Sequence, residues 1–176
     1  MGREVNLLEN YPRTARNLDE RLQEKTEEDR LIARRFDQDF FDGDRRNGYG
    51  GFTYHPRFWQ PVVPTFREVY GLTGESSLLD VGCAKGFMLK DFAEAIPGLT
   101  VAGIDVSEYA INHAVEGVEN LVQVADARAI PFEDDSFDLV VSVNTLHNFE
   151  RGEVIQALQE VQRVSRRWSF VVLDAF

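Results

Sequence analysis

Three acids and two glycines, set at regular intervals, carry the chemistry that this sequence can offer. In Leu78-Leu79-Asp80-Val81-Gly82-Cys83-Ala84-Lys85-Gly86-Phe87 an apolar run reaches an acid, turns through a short glycine-bearing loop and enters a helical stretch. Gly82 and Gly86 remove side chains that would keep a small molecule off the backbone, and at least one of them is expected at positive φ. Asp105 follows Gly86 by 19 residues, close to the roughly 20 that separate a glycine turn from an acid that holds a ribose. Its carboxylate can accept from both the 2′- and 3′-hydroxyls. Asp126, in Val124-Ala125-Asp126-Ala127, is placed to accept from the exocyclic amine of an adenine. Any one of these acids could simply cap the helix after it. Three at consecutive strand ends form a row along one sheet edge, which capping alone explains poorly.

The elements that must position this row are read from periodicity and turn residues. Strands are expected over 77–81, 100–104, 121–125, 137–143 and 169–173, with helices over 87–96, 107–115 and 153–164 between them. Continuous apolar runs such as Leu139-Val140-Val141 suit strands covered on both faces. Alternating strands and helices imply an α/β fold, a Rossmann-like doubly wound parallel sheet of five strands with right-handed crossovers. Ahead of it, residues 14–41 read as an N-terminal helical extension. Asn17 with Glu20 and Thr26 with Asp29 resemble capping boxes, and Leu18, Leu22, Leu31, Ile32 and Phe36 form a narrow apolar stripe. Residues 42–61 interleave Gly48, Gly50 and Gly51 with Tyr49, Phe52, Tyr54, Phe58 and Trp59. That mixture suits a lid-like loop closing over a ligand; a linker whose aromatics plug the core edge has the same composition. A helix over 62–70 then leads to the glycine turn. The chain divides into an extension with its loop over 1–71 and a ligand-binding domain over 72–176.

The chain has 176 residues, a formal charge of −11 and one cysteine. Residues 51–176 hold 9 Lys/Arg against 18 Asp/Glu, an acidic body that repels a phosphate backbone, so no nucleic-acid partner is expected. Arg163, Arg166 and Arg167 are read as the basic end of a helix that complements its dipole. No signal peptide or membrane-spanning run is visible, so a cytoplasmic location with no membrane association is expected. Cys83 is expected to be a small buried residue, not a nucleophile. No metal site is expected.

The motifs together resemble the class I S-adenosylmethionine-dependent methyltransferases. Leu78 to Gly86 looks like their first motif, and Ile104-Asp105-Val106-Ser107 like their ribose-binding stretch. Ala125-Asp126-Ala127 and Ile130-Pro131-Phe132 through Phe137-Asp138 resemble the segment between their third and fourth strands. Val143-Asn144-Thr145-Leu146-His147-Asn148-Phe149 is similar to the segment after strand four in the branch containing the quinone C-methyltransferases. The resemblance covers about residues 72–176. It implies S-adenosyl-L-methionine as cofactor and methyl transfer to a small-molecule acceptor. By it, Asp80 and the backbone of Gly82, Cys83, Ala84 and Gly86 would flank the methionine part. Asp105 would hold the ribose, Val106 would pack on the adenine, Asp126 and the Ala127 N–H would meet its edge, and Asn144 would sit beside the ammonium or sulfonium. Where many members have glycine this chain has Ala84, tolerable if its φ stays negative. Lys85 is expected to point to solvent.

In-line transfer from a sulfonium needs alignment and dryness, and a general base only if the acceptor must lose a proton. His147 is the candidate base, with a helix-start or supporting role as its alternative. Tyr49, Tyr54 and His55 are candidates for closing over the acceptor. The fold of this family continues beyond strand five, so the chain is expected to lack the C-terminal part. Its apolar edge Phe170-Val171-Val172-Leu173 then needs cover, which a second copy could provide as a homo-oligomer. A non-catalytic cofactor-binding or regulatory module, completed by a partner chain, is the alternative function. An oxidoreductase is disfavoured, because G-x-G-x-x-G is absent.

Overall fold

The computed structural model describes residues 4–12 and 26–173. The elements are α1 (Glu27–Ala33), α2 (Gln38–Phe41), α3 (Val63–Tyr70), β1 (Ser77–Val81), α4 (Phe87–Ala95), β2 (Thr100–Asp105), α5 (Glu108–Asn112), β3 (Val122–Val124), β4 (Phe137–Val143), α6 (Arg151–Val164) and β5 (Ser165–Val172). A 3-10 turn, Leu146–Asn148, follows β4. The five strands form one sheet in the order β3-β2-β1-β4-β5, and every pairing is parallel. This is the α/β, Rossmann-like arrangement expected from the sequence.

Neighbouring strand residues explain why both sheet faces must be covered. Leu78 and Leu79 are both fully buried, and successive side chains on a strand point to opposite faces. Leu78, Leu139 and Val141 pack with Phe66 of α3 and with Met88, Leu89 and Phe92 of α4. Leu79, Val81 and Val140 pack with Ala157, Val161 and Val164 of α6. The core of the first face also takes in Leu7, Val62 and Val63, so residues ahead of β1 help to close it. α3 begins with Pro64 in its first turn and ends at Gly71, which is left-handed with φ 64°, a stop that suits glycine. Among the described residues no helix is long and apolar enough to cross a membrane.

The order of the strands positions the site. From β1 the chain builds outward to β2 and β3, then returns to lay β4 on the other side of β1. The carboxyl ends of β1 and β4 therefore diverge at a topological switch point, where α/β sheets leave a crevice. Gly82 and Asn144 stand at its two lips.

Two boundaries differ from expectation. β5 begins at Ser165 and not at 169, so Arg166 and Arg167 lie on a strand instead of ending a helix. α6 stops where it does because Arg163 is fixed by Glu160, by Asp134 and by the carbonyls of Ile130 and Phe132, while its own carbonyl accepts from the Asp135 N–H. Arg166 instead pairs with Asp138 at 2.9 Å. α5 stops at Asn112 and does not reach 115; the Val115 N–H donates to the Lys85 carbonyl at 2.9 Å, outside any helical ladder. The Thr26–Asp29 capping box is formed. Asn17, Glu20, Leu18 and Leu22 lie outside the described residues.

Leu79→Ala removes a fully buried side chain beneath α6 and is expected to lower stability by about 2–5 kcal/mol, read as a fall in the urea midpoint.

Candidate active site

Beyond β1 the chain places three residues in the left-handed region within five positions: Gly82 (φ 86°), Ala84 (φ 49°) and Gly86 (φ 75°). A Cβ on Gly82 would run into the Thr145 side chain, which follows β4. Gly86 opens α4, and a Cβ on it would come within 2.7 Å of Val118 Cγ2. Ala84 corrects the expectation of a negative φ. A left-handed alanine costs about 1–2 kcal/mol, and what holds it there is its N–H, which donates to Asp105 Oδ2 at 2.8 Å.

Asp105 ends β2 and uses both carboxylate oxygens. Oδ2 takes the Ala84 N–H, and Oδ1 takes the Ser107 N–H at 2.9 Å. Burial raises its pKa, partly offset by those N–H donors. Asp80, at the end of β1, is buried and accepts no hydrogen bond among the described residues. Burial, with the neighbouring Asp105 charge, pushes its pKa up to about 8. A buried acid without donors is a seat for a positive charge.

The crevice has two lobes that share Gly82, Asp105, Val106, Thr145 and Phe149. The smaller lobe adds Ile104, Ala125 and Ala127, a slot with Val106, Ala127 and Phe149 as apolar walls suited to a flat base. The larger adds Ala84, Val143, Asn144 and Asn148, and the rings of Phe36, Phe40, Phe41 and Tyr49. Asn144 stands at φ 55°, a conformation that asparagine tolerates.

Of the residues singled out from the sequence, Gly82, Ala84, Asp105, Val106, Ala127, Asn144 and Tyr49 line the crevice. Asp80 and Gly86 are not among its lining residues. Cys83 is 5% exposed and packs against Gly103 of β2. Burial, with the Asp80 and Asp105 charges, raises its thiol pKa well above the ordinary value, so it is a packing residue. Asp126 does not line either lobe. Its carboxylate is gripped by Arg128, with Nη2 to Oδ2 at 2.5 Å and Nε to Oδ1 at 2.9 Å. Those bonds lower its pKa and keep it ionised. Arg128 also pairs with Glu153 and lies 5.3 Å over the Phe149 ring. His147 is exposed in the 3-10 turn, outside the lining. Tyr54 turns away to donate to Asp91 Oδ1 at 2.5 Å, and His55 Nδ1 accepts from the Arg57 N–H.

Lys85 is a second correction. It is 7% exposed and donates to Asp42 Oδ2 at 2.6 Å and to the Phe52 carbonyl at 2.9 Å. A buried ammonium needs a partner, and the 42–52 segment supplies it. Phe36, Phe40, Phe41, Thr145 and Phe149 were not singled out. Phe36 reads only as part of a helical apolar stripe, Phe40 and Phe41 fall at the end of the expected helical extension, and nothing local to Thr145 signals that Gly82 makes room for it.

A family profile described as a methyltransferase domain matches residues 78–167, half of the chain and all of the crevice except its aromatic wall. The chain belongs to this methyltransferase family, with the class I fold. A fatty-acid O-methyltransferase of Mycolicibacterium smegmatis is 36% identical over 130 residues, 71% of this chain and 42% of that protein. A demethylmenaquinone methyltransferase of Staphylococcus aureus is 33% identical over 134 residues, 73% of this chain and 53% of that protein. The chain thus spans about half the length of these relatives. A solved S-adenosylmethionine-dependent methyltransferase from Aquifex aeolicus superposes with a TM-score of 0.50 at 26% identity, over 59% of this chain and 58% of that one.

Family and fold imply S-adenosyl-L-methionine as cofactor, and the residues present fit it. Asp105 suits the ribose, the Val106–Ala127–Phe149 slot the adenine, and Asp80 the positive end. Asp80 also sets a pH dependence. Its pKa rises from 3.8 to about 8 on folding, so between those values the folded chain holds a proton that the unfolded chain has lost. Stability without ligand is therefore expected to fall as pH rises from about 4 to 8. Asp80→Asn should flatten that slope in urea midpoints measured across the range.

Proposed function

We propose that this chain binds S-adenosyl-L-methionine and catalyses transfer of its methyl group to a small-molecule acceptor. The observation that carries the proposal is the Asp105 carboxylate at the end of β2, bonded to the glycine loop and lining both lobes of the crevice. In this reading Asp105 accepts from the ribose hydroxyls, and Asp80 faces the methionine ammonium across the Gly82–Gly86 backbone. N–H groups at the start of α4 receive the carboxylate. Val106 and Ala127 hold the adenine, and Asn144 stands near the sulfonium; we assign the adenine amine to Asp126, which is kept ionised by Arg128 and, though outside the lining, lies between the lining residues Ala125 and Ala127. Residues 72–176 form the cofactor domain, and 1–71 an extension whose loop folds over the acceptor.

The cofactor supplies a methyl group on a good leaving atom; the chain's own part is alignment and exclusion of water. Tyr49 lies in the larger lobe, where it can close over an acceptor and orient it. His147 is three residues beyond Asn144 but outside the lining, so as a base it must act from the rim. The acceptor is placed among molecules with an apolar, flat body, in keeping with the aromatic wall and with likeness to the quinone-methylating branch. β5 pairs only with β4 among the described residues, and we assign its outer edge to a second copy of the chain. Sedimentation equilibrium giving a concentration-independent monomer would refute that pairing.

Calorimetry is expected to give binding of S-adenosylmethionine and S-adenosylhomocysteine, weakened about 10- to 100-fold by Asp105→Ala through loss of charge-assisted hydrogen bonds. Methyl transfer to a panel of hydroxylated aromatic acceptors, with Asp105→Ala as blank, then tests catalysis. No heat with either sulfur compound at millimolar concentration would overturn the proposal.

A further inference from the structure

The segment 36–52 brings Phe36, Phe40, Phe41 and Tyr49 to the larger lobe, yet its regular structure is the single turn of α2. Its hold on the body of the protein is a polar hub among residues that do not line the crevice. Asp42 Oδ2 accepts from Lys85 Nζ at 2.6 Å and from the Tyr109 hydroxyl at 2.7 Å, while Oδ1 accepts from the Phe52 N–H at 2.9 Å. Lys85 Nζ also donates to the Phe52 carbonyl and lies 5.7 Å from the Tyr109 ring. Burial works to raise the Asp42 carboxyl, but Lys85, the Phe52 N–H and Tyr109 outweigh it and bring it to about 2. A second tie joins the Ser107 hydroxyl to the Phe36 carbonyl.

Two of the anchors on the body come from stretches assigned to the cofactor, and the third lies two residues beyond one of them. Lys85 lies within the glycine loop, between Ala84 and Gly86. Ser107 gives its N–H to Asp105 Oδ1, and Tyr109 follows in α5. The polar ties of the aromatic segment to the body therefore run to the two cofactor loops and the start of α5, beside an apolar contact in which Phe52 stacks on Phe87 at the head of α4 at 4.8 Å. The ion pair is one-sided in its burial, with Lys85 enclosed and Asp42 nearer the surface, and it suits such a fastening because an enclosed ammonium left without its partner is strongly disfavoured in place.

We propose that Asp42, Lys85 and Tyr109 are positioning residues that clasp the acceptor wall to both cofactor loops, so that the wall is seated only when those loops are ordered. This rests on the methyltransferase reading, which makes 82–86 and Asp105 the cofactor's cradle. The coupling is reciprocal: whatever orders the cradle orders the wall, and a seated wall tightens the cradle.

Hydrogen exchange of the whole chain, with and without S-adenosylhomocysteine, tests it. In the unmodified protein, amides of 40–52 are expected to exchange about tenfold more slowly with the compound bound. In Asp42→Asn that slowing should drop below about twofold, while calorimetric affinity for S-adenosylhomocysteine stays within about fivefold. Tyr109→Phe, which removes only a hydroxyl, should show the same separation in smaller measure and decides the matter if Asp42→Asn does not fold. A merely structural hub would lower the thermal midpoint without separating affinity from ligand-linked protection. The proposal is overturned if S-adenosylhomocysteine binds but leaves 40–52 unchanged, or if the variants keep the full slowing. Absence of S-adenosylhomocysteine binding is a different result, and overturns the cofactor reading itself.

Discussion

The Asp105 carboxylate is the point through which the glycine loop, the cap of α5 and the aromatic wall are held in register. One oxygen holds the Ala84 N–H and thereby steadies a left-handed alanine. The other fixes the Ser107 N–H, and the Ser107 hydroxyl then both accepts from the Ala110 N–H and donates to the Phe36 carbonyl. A side chain that lines the crevice is thus also the local frame. Because N–H donors occupy one lone-pair direction on each oxygen, a carboxylate retains room to accept ribose hydroxyls on the remaining ones.

The charges around the crevice are sorted by how each is compensated. Asp126 is ionised because Arg128 grips it, and Asp42 because Lys85 and Tyr109 do. Asp80 alone has burial and a like charge and no donor, and its pKa moves the opposite way. In a chain with a net charge of −11, the acid that lacks compensation is therefore the one poised to accept a cation. The residues behind the crevice spend their donors on one another; Asp80 keeps its need unmet.

Strand positions and the acid row were legible in the sequence because each depends on a local pattern. Leu78-Leu79 before Asp80 and Leu139-Val140-Val141 could hardly be anything but strands covered on both faces. Gly82, Asp105 and Asn144 followed from spacing and from family likeness. What was not legible depends on contacts far apart in the chain. Lys85 looked solvent-bound because its partner Asp42 is 43 residues away. Ala84 was expected at negative φ because the hydrogen bond that turns it over comes from Asp105, 21 residues on. The start of β5 was misplaced because Ser165-Arg166-Arg167 reads as polar helix, whereas Arg163 is fixed by groups in the 130–134 loop and ends the helix first.

The reversal of strand order at β1 has a kinetic side. β1, β2 and β3 succeed one another along the chain, so their pairings close modest loops. β4 must return to β1, and the tie at its foot joins the Ser77 N–H to Asp138 Oδ2 across 61 residues. Longer loops close at greater entropic cost and later in folding. On that basis the half of the crevice bearing Gly82 and Asp105 closes on shorter loops than the half bearing Asn144, Thr145 and Phe149, and the aromatic wall, tied to the body across 67 and 71 residues, closes on the longest.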